Sequence, residues 1–174
     1  ASVGDTVDYQ IISTLPTITS KASSLSEYTY VDTMSKGIKY NMNDVVIEFF
    51  KDAGCTDKIA TWTEDSGKFT VTYDDVQNTM TIKMTETGLS EINEATTVYT
   101  DSVKRGYSDC TMRITYAATL TAIPGVGEKT SAALLAHFKT VAAVKAASIS
   151  DLEEVKGISH AKAEMLYNAL RNGI

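Results

Sequence analysis

The sequence predicts two modules, an all-β sandwich over residues 1–120 and an all-α module over residues 121–174. In the first module, short segments alternate apolar with polar residues, as half-buried strands do, and turn-forming residues separate them. In the second, apolar residues recur at three- and four-residue spacing, as on one side of a helix. The period changes across Pro124-Gly125, a dipeptide typical of turns. Many short strands with turn signals between them favour a sandwich.

The charge is divided unevenly between the two modules. Residues 1–119 carry 10 Lys and Arg against 17 Asp and Glu, a net charge of −7, whereas residues 120–174 carry 6 against 5, a net charge of +1. The acidic first module therefore lacks the basic surface expected of a nucleic-acid-binding protein. Any such binding by the second module must come from local geometry. No apolar run approaches ~18 residues, so membrane insertion is not expected.

The elements of the first module follow from its alternating segments, which are separated by Gly, Asp, Asn and Ser as turns require. Strands are predicted at residues 6–14, 27–31, 38–40, 45–50, 60–62, 68–73, 79–84, 95–98 and 112–118. Leu89–Ile92 is predicted to form a helical turn.

The two cysteines, Cys55 and Cys110, both lie in the first module. Neither belongs to a C-x-x-C motif or has a histidine nearby, so the sequence predicts no metal site. Two separate thiols are the simpler expectation. A disulfide between adjacent strands is the alternative, and it would require an oxidising compartment.

Four segments of the first module carry a family resemblance, and they lie at residues 2–9, 30–38, 69–73 and 114–120. They resemble the isopeptide-forming domains of Gram-positive sortase-assembled pilins, and Asp-Thr-Met-Ser-Lys-Gly at residues 32–37 is a fairly specific part of the likeness. The resemblance implies an immunoglobulin-like sandwich on an extracellular, cell-wall-anchored fibre. It also implies an amide bond between a Lys of the first strand and an Asn of the last, assisted by a buried carboxyl group.

The two reacting residues of that family have no counterpart here. The Lys would precede Ala1, and the Asn position is occupied by Thr121, which has no carboxamide. One interpretation is a simple truncation. The other, which we favour, is a deliberately split domain whose open sheet edges accept strand peptides carrying Lys or Asn and promote their ligation.

The carboxyl group of such a reaction must be kept protonated by burial so that it can polarise the Asn carbonyl. Asp32 is the first candidate because it ends a strand in the family-like segment. Glu48 is the second because it interrupts an apolar strand, and Glu86 is the third. The alternatives are an ordinary turn carboxylate for Asp32 and an outward-facing strand residue for Glu48.

The second module reads as two similar hairpin-and-helix units. A tight turn at residues 123–127 opens a helix that ends near Phe138, with Ala132, Leu135 and Phe138 on one stripe. A short helix at 141–147 and another at 151–155, capped by Ser148 or Ser150, lead to a second hairpin and a helix that ends near residue 170. Gly125, Val126 and Gly127 align with Gly157, Ile158 and Ser159, an offset of 32 residues.

This repeat resembles a tandem helix-hairpin-helix domain, most closely the one ending the UvrC subunit of bacterial excision nucleases. The resemblance implies that hairpin amides hold DNA phosphates without reading bases. The implied contacts are Gly125, Val126, Gly127 and Lys129 in the first unit, and Gly157, Ile158, Ser159 and Lys162 in the second. The alternative is that the hairpins only pack helices. His137 and His160 lack metal-ligand spacing, and no cofactor or metal is predicted.

The two resemblances place the modules in different compartments, because pilins work outside the cell and repair proteins work on DNA inside it. We therefore interpret the chain as an engineered fusion, for which neither localisation is predicted. The enzyme hypothesis is a ligase that joins Lys and Asn of two added peptides. The binding hypothesis is a non-catalytic pilin-like structural or adhesion domain with a non-specific DNA-binding tail. In both cases we expect a monomer.

Overall fold

The computed structural model describes residues 5–35, 37–95, 103–121 and 126–171. The chain divides into two compact units. One comprises Asp8–Thr33 and Asn41–Ala117, and the other comprises Ala1–Val7, Met34–Tyr40 and Ala118–Ile174. β-rich, sandwich-like sheets form the N-terminal part, and helices form the C-terminal part. The boundary at residue 120 stays a prediction.

Eight strands and one helix make up the described N-terminal part. They are β1 (Thr6–Thr14), β2 (Thr29–Thr33), β3 (Ile38–Tyr40), β4 (Val46–Phe50), β5 (Lys58–Trp62), β6 (Phe69–Asp74), β7 (Thr79–Met84), α1 (Glu86–Glu94) and β8 (Thr111–Leu120). Of the predicted strand at residues 95–98, all but Ala95 lies outside the described residues. The predicted helical turn is longer than expected, because Thr85 caps α1 by accepting a hydrogen bond from the Gly88 amide.

The strands form two sheets. One runs in the order β1-β8-β4-β5, with β3 also pairing with β8, and the other runs β2-β7-β6. β4 lies antiparallel to β8 along Thr111–Thr115, and β3 lies antiparallel to it along Ala118–Leu120. The Leu120 amide also donates to the Asp5 carbonyl at 3.1 Å. The last residues of β8 are therefore held on both sides.

The core of these sheets is aromatic and aliphatic. Trp62 is fully buried, and its ring meets the edge of Phe49 at a centroid distance of 4.5 Å. The Phe49 ring also packs against Tyr107 at 4.9 Å. Other fully buried members are Ile47, Met80, Ile82, Ile92, Met112 and Ile114. Burial of large side chains is the main stabilising contribution to this part of the fold.

One glycine lets the loop before β8 lie directly against α1. Gly106 has φ +56°, and a Cβ there would stand 2.0 Å from the Ile92 carbonyl oxygen and 2.6 Å from the Asn93 carbonyl carbon. The next amide, that of Tyr107, donates to the same Ile92 oxygen at 2.7 Å. Only a residue without a side chain fits this contact.

The helices of the C-terminal part are α2 (Glu128–Phe138), α3 (Val141–Ala146), α4 (Ile149–Glu153) and α5 (His160–Arg171). Ser148 caps α4, accepting from the Asp151 amide. The helices enclose their own core of Leu134, Val144, Ala147, Leu152, Val155, Ile158, Ala163 and Leu166. None of the described helices has the length and apolar character needed to cross a membrane.

The predicted apolar stripe of α2 is partly wrong. Ala132 is exposed, whereas Ser131 and Leu134 are fully buried. The spacing of apolar residues could not identify Ser131 as part of the core, because its side chain is polar. The Ser131 hydroxyl donates to the Val126 carbonyl at 3.1 Å, so its burial leaves no unsatisfied group.

The cysteines form no disulfide with each other. Cys110 is buried, and Cys55 is partly exposed in a turn with φ +56°. Two separate thiols are therefore the arrangement that the structure contains.

Candidate functional site

A groove in the helical part brings together residues of both hairpin-and-helix units. Its volume is about 170 Å³, and it is lined by Lys129, Thr130, Ala133, Lys156, Gly157, Ile158 and Lys162. The first three lie in the first two turns of α2, and the others lie in or just after the turn between α4 and α5. Three lysines thus share one groove, which can attract an anion.

The backbone beside this groove is open to close approach. Gly157 has φ +91°, and a Cβ added there would meet no atom within 4 Å. The same holds at Gly127, the N-cap of α2, whose φ of −59° any residue can adopt. Each glycine precedes a helix whose N-terminus carries a partial positive charge. An anion in the groove would lie beside Gly157 and beside lysines in the first turns of α2 and α5.

The predicted phosphate contacts differ in how the structure places them. Gly125 lies outside the described residues, and Val126 is half-buried with its carbonyl bonded to Ser131. The Ile158 side chain belongs to the core, and its amide donates to the Val155 carbonyl at 3.0 Å. We therefore leave the Ile158 amide out of the proposed contacts. Ser159 is exposed, and its hydroxyl accepts from the Lys162 amide at 3.3 Å.

Lys156 is a groove residue that the sequence analysis missed. It precedes Gly157 and lies outside the helices, so helical periodicity gives no reason to choose it. Its position directly before the second hairpin glycine is the one signal that could have found it. The turn between α4 and α5 brings it to the same groove as Lys129 and Lys162.

Each of the two histidines contacts a neighbouring protein side chain. His160 pairs with Glu153, and this hydrogen bond raises the pKa of the imidazole above its usual value. The His137 ring packs edge-on against Phe138 at a centroid distance of 4.7 Å. In the described part of the chain, no three His, Cys, Asp or Glu side chains are grouped so as to hold a metal ion.

Asp32 lies between the two sheets in a cluster of tyrosines. On β2 it is half-buried, and its Oδ2 accepts a hydrogen bond from the Tyr116 hydroxyl of β8 at 2.8 Å. Tyr116 in turn lies 3.2 Å, oxygen to oxygen, from the hydroxyl of Tyr30. The ring of Tyr9 on β1 stacks on Tyr116 with centroids 5.4 Å apart. This aspartate is thus held inside the sandwich rather than in a solvated turn.

Tyr116 is the central member of this cluster, and the sequence analysis did not single it out. Its side chain is 4% exposed. Burial raises the pKa of its phenol, and the hydrogen bonds to Tyr30 and Asp32 raise it further. The phenol therefore stays protonated and acts as a permanent donor to Asp32. Alternation along β8 predicts that Tyr116 faces inward, but alternation does not reveal its partner.

Glu48, the second predicted acid, is buried on β4 and paired with a cation from each neighbouring strand, β5 and β8. Arg113 donates to its Oε1 at 2.8 Å, and Lys58 forms an ion pair with its Oε2. Burial alone would raise the pKa of Glu48, but the hydrogen bonds from Lys58 and Arg113 outweigh burial and lower it. The ionised form is favoured, whereas a proton donor needs the neutral form.

Glu86, the third predicted acid, is exposed in the first turn of α1. A different carboxylate on this helix makes more contacts. Glu91 accepts from Trp62 Nε1 at 2.5 Å, from Lys68 Nζ at 2.7 Å and from the Tyr107 hydroxyl at 3.0 Å. Periodicity could not single out Glu91, because two of its donors precede α1 and the third follows it.

Comparison with known proteins separates the two parts of the chain. Residues 117–172 match the SAM-like helix-hairpin-helix tandem family. The helical part is a helix-hairpin-helix domain. It is 57% identical over 53 residues to UvrABC system protein C of Bifidobacterium longum and 53% identical over 53 residues to that of Neisseria meningitidis. Each match covers 30% of this chain, and the chain spans 7% and 9% of these relatives.

The β-rich part has a distant structural neighbour. It is the collagen-binding domain of Erysipelothrix rhusiopathiae surface protein RspB, with 10% sequence identity and a TM-score of 0.39. The match covers 66% of this chain and 29% of that one. The resemblance to isopeptide-forming pilin domains stays a prediction.

Proposed function

We propose that the helix-hairpin-helix domain binds the sugar–phosphate backbone of DNA without reading its bases. The observation that carries this proposal is the groove in which Lys129, Lys156 and Lys162 converge beside the open backbone of Gly157. Lysine ammonium groups and helix N-termini both favour phosphate oxygens. Among the described residues that line the groove, the cations are lysines, which meet an anion as point charges and not as the planar fork of an arginine.

The charge balance limits the affinity of this contact. With a net charge of +1 over residues 120–174, the domain adds little overall positive charge to that of the groove. Binding then depends on a few phosphate contacts, and each released counterion makes the affinity sensitive to salt. We expect the complex to form at low salt and to dissociate at moderate salt.

The test is alanine substitution of the groove lysines. Lys156→Ala and Lys162→Ala should each weaken binding to a duplex of arbitrary sequence and lower the slope of log affinity against log salt by about 1. Lys145→Ala is the matched control, because this exposed lysine of α3 does not line the groove. Fluorescence anisotropy over a salt series measures both quantities. Equal losses in all three variants would contradict a localised site.

Ligation by the β-rich part is a second candidate, favoured by the position of Asp32 between the sheets beside Tyr116. In the described sheets β1 and β2 are terminal strands, so each offers one edge to an added peptide. A lysine amine would attack an asparagine carboxamide, an amide would form, and ammonia would leave. Asp32 would carry the proton from the attacking nitrogen to the leaving one.

Peptides carrying Lys and Asn test this candidate. The chain should yield a covalent peptide–peptide product whose mass is the sum of the two less one ammonia. Asp32→Ala should lower its rate by about 100-fold or more, since that is a typical contribution of a positioned group that takes up and returns a proton. Glu86→Ala, an exposed carboxylate, should leave the rate unchanged. Absence of any product on a denaturing gel would end the ligase proposal without affecting DNA binding.

A further inference from the structure

A second cleft, in the β-rich part, has no role in either proposed function. Its volume is about 240 Å³, and it is lined by Ser20, Lys21, Ser24, Asn93, Glu94 and Arg105. We call it the Arg105 cleft. Three separate segments form it: the short 3₁₀ turn near residue 21, the end of α1, and the loop before β8.

The walls of the Arg105 cleft are fixed by hydrogen bonds. The Asn93 side chain accepts from the Leu25 amide at 2.8 Å and donates to the Leu25 carbonyl at 2.9 Å, which ties α1 to the first segment. The Arg105 amide donates to the Ile18 carbonyl at 2.9 Å, which ties the third segment to the same chain stretch. The backbone of the cleft is therefore formed before any ligand arrives, and binding has to order only its exposed side chains.

The cations of this cleft differ from most others in the β-rich part. Lys51, Lys58, Lys68, Lys83, Lys104 and Arg113 each pair with a carboxylate. Among the described residues, Lys21 and Arg105 have no carboxylate in ion-pair contact, although this part of the chain is strongly acidic. The cleft is lined by these two cations and by a single carboxylate, that of Glu94, which leaves a small local excess of positive charge.

The remaining groups define what the cleft can hold. Ser20 lies on the same wall as Lys21, whereas the Ser24 hydroxyl already donates to the Lys21 carbonyl at 2.7 Å. The Arg105 guanidinium has paired donors that match two oxygens of one anion. At the end of α1, the carbonyls of Glu91 and Ile92 already accept from the Ala95 and Tyr107 amides. We infer that the Arg105 cleft binds a small oxyanion, the carboxylate, sulfate or phosphate group of a ligand.

Removing the charge of Glu94 should strengthen anion binding. Its carboxylate lines the same cleft and repels an anion there. Glu94→Gln should therefore tighten oxyanion binding by about twofold to fivefold. Arg105→Ala should weaken it by about tenfold or more, because a charge-assisted pair of hydrogen bonds is lost. The backbone bond from residue 105 to Ile18 is retained in that variant, so the fold is expected to persist.

The experiment is an NMR titration of the full chain with sulfate, inorganic phosphate and acetate at constant ionic strength. Saturable shifts of the Lys21, Ser24 and Asn93 amides are expected, and the order of the three anions distinguishes a tetrahedral oxyanion from a carboxylate. Lys39→Ala is the matched control, an exposed lysine of β3 outside the cleft. Shifts confined to the helical groove would overturn the inference. So would equal weakening by Lys39→Ala and Arg105→Ala, or saturable shifts that Arg105→Ala leaves unchanged.

Discussion

Replacing Gly106 with alanine is expected to remove about 4 kcal/mol of folding free energy from the β-rich part. Two costs add. A left-handed backbone costs an ordinary residue about 1–2 kcal/mol, and forcing a methyl group into a packed contact costs about 1–3 kcal/mol more. At Gly106 the contact is the Ile92 carbonyl oxygen, 2.0 Å from the new Cβ. A backbone oxygen cannot turn away as a flexible side chain does.

Gly67→Ala is the matched control for this prediction. Gly67 has a φ of +71°, close to that of Gly106, but a Cβ there would meet nothing within 4 Å. The Gly67→Ala substitution should lower the folding free energy by only about 1 kcal/mol, the cost of holding an alanine in the left-handed backbone conformation. Urea unfolding followed by fluorescence of Trp62, the single and fully buried tryptophan, measures both variants. Equal urea midpoints for Gly106→Ala and Gly67→Ala would show that the loop before β8 makes no close contact with α1 at Gly106.

Replacing Glu91 with alanine is expected to cost about 3 kcal/mol. The substitution leaves the Trp62 indole, the Lys68 ammonium and the Tyr107 hydroxyl without their common acceptor. Lys68 is affected most, because its side chain is only 28% exposed and an unpaired charge there is poorly solvated. Glu86→Ala, on the exposed side of the same helix, should cost less than about 1 kcal/mol. A difference within error between the two would contradict a stabilising role for Glu91.

Acid should weaken the same contact. Burial alone would raise the pKa of Glu91, but hydrogen bonds from Lys68, Trp62 and Tyr107 outweigh burial and hold the pKa below its usual value. A carboxyl group with a lowered pKa in the folded state stabilises the fold above its unfolded pKa, and this stability is lost as the pH falls through the folded one. The urea midpoint should therefore decrease as the pH is lowered from about 5 to about 3. The decrease should be smaller in Glu91→Gln, which lacks the titrating carboxyl group.

The sequence predicted the positions of most strands and helices because their signals are local. Thr6–Thr14 and Thr79–Met84 alternate apolar with polar residues and form strands with those bounds. Ser148 was one of two predicted caps of α4, and its hydroxyl accepts from the Asp151 amide. Such features depend on residues that are near one another in the chain.

The contacts within the candidate sites could not be predicted in the same way, because they join residues far apart in the chain. Asp32 meets Tyr116 across 84 residues, and Glu48 meets Arg113 across 65. The sequence suggested both carboxylates, but it could not show that one lies beside a phenol and the other between two cations. The position of Lys156 in the groove was also not predictable from nearby residues. It depends on the path of the turn between α4 and α5, which is set by the packing of these two helices.

β1 and β8 are neighbouring strands of one sheet, and this limits what a covalent bond between them would add to the fold. A Lys–Asn bond of the kind that the pilin resemblance implies would connect two strands that already lie side by side in the sheet. Such a bond is not needed to select the topology, because sheet hydrogen bonds and core packing already do so. Its effect would be on durability: chain ends that separate during a local opening would stay close enough to pair again.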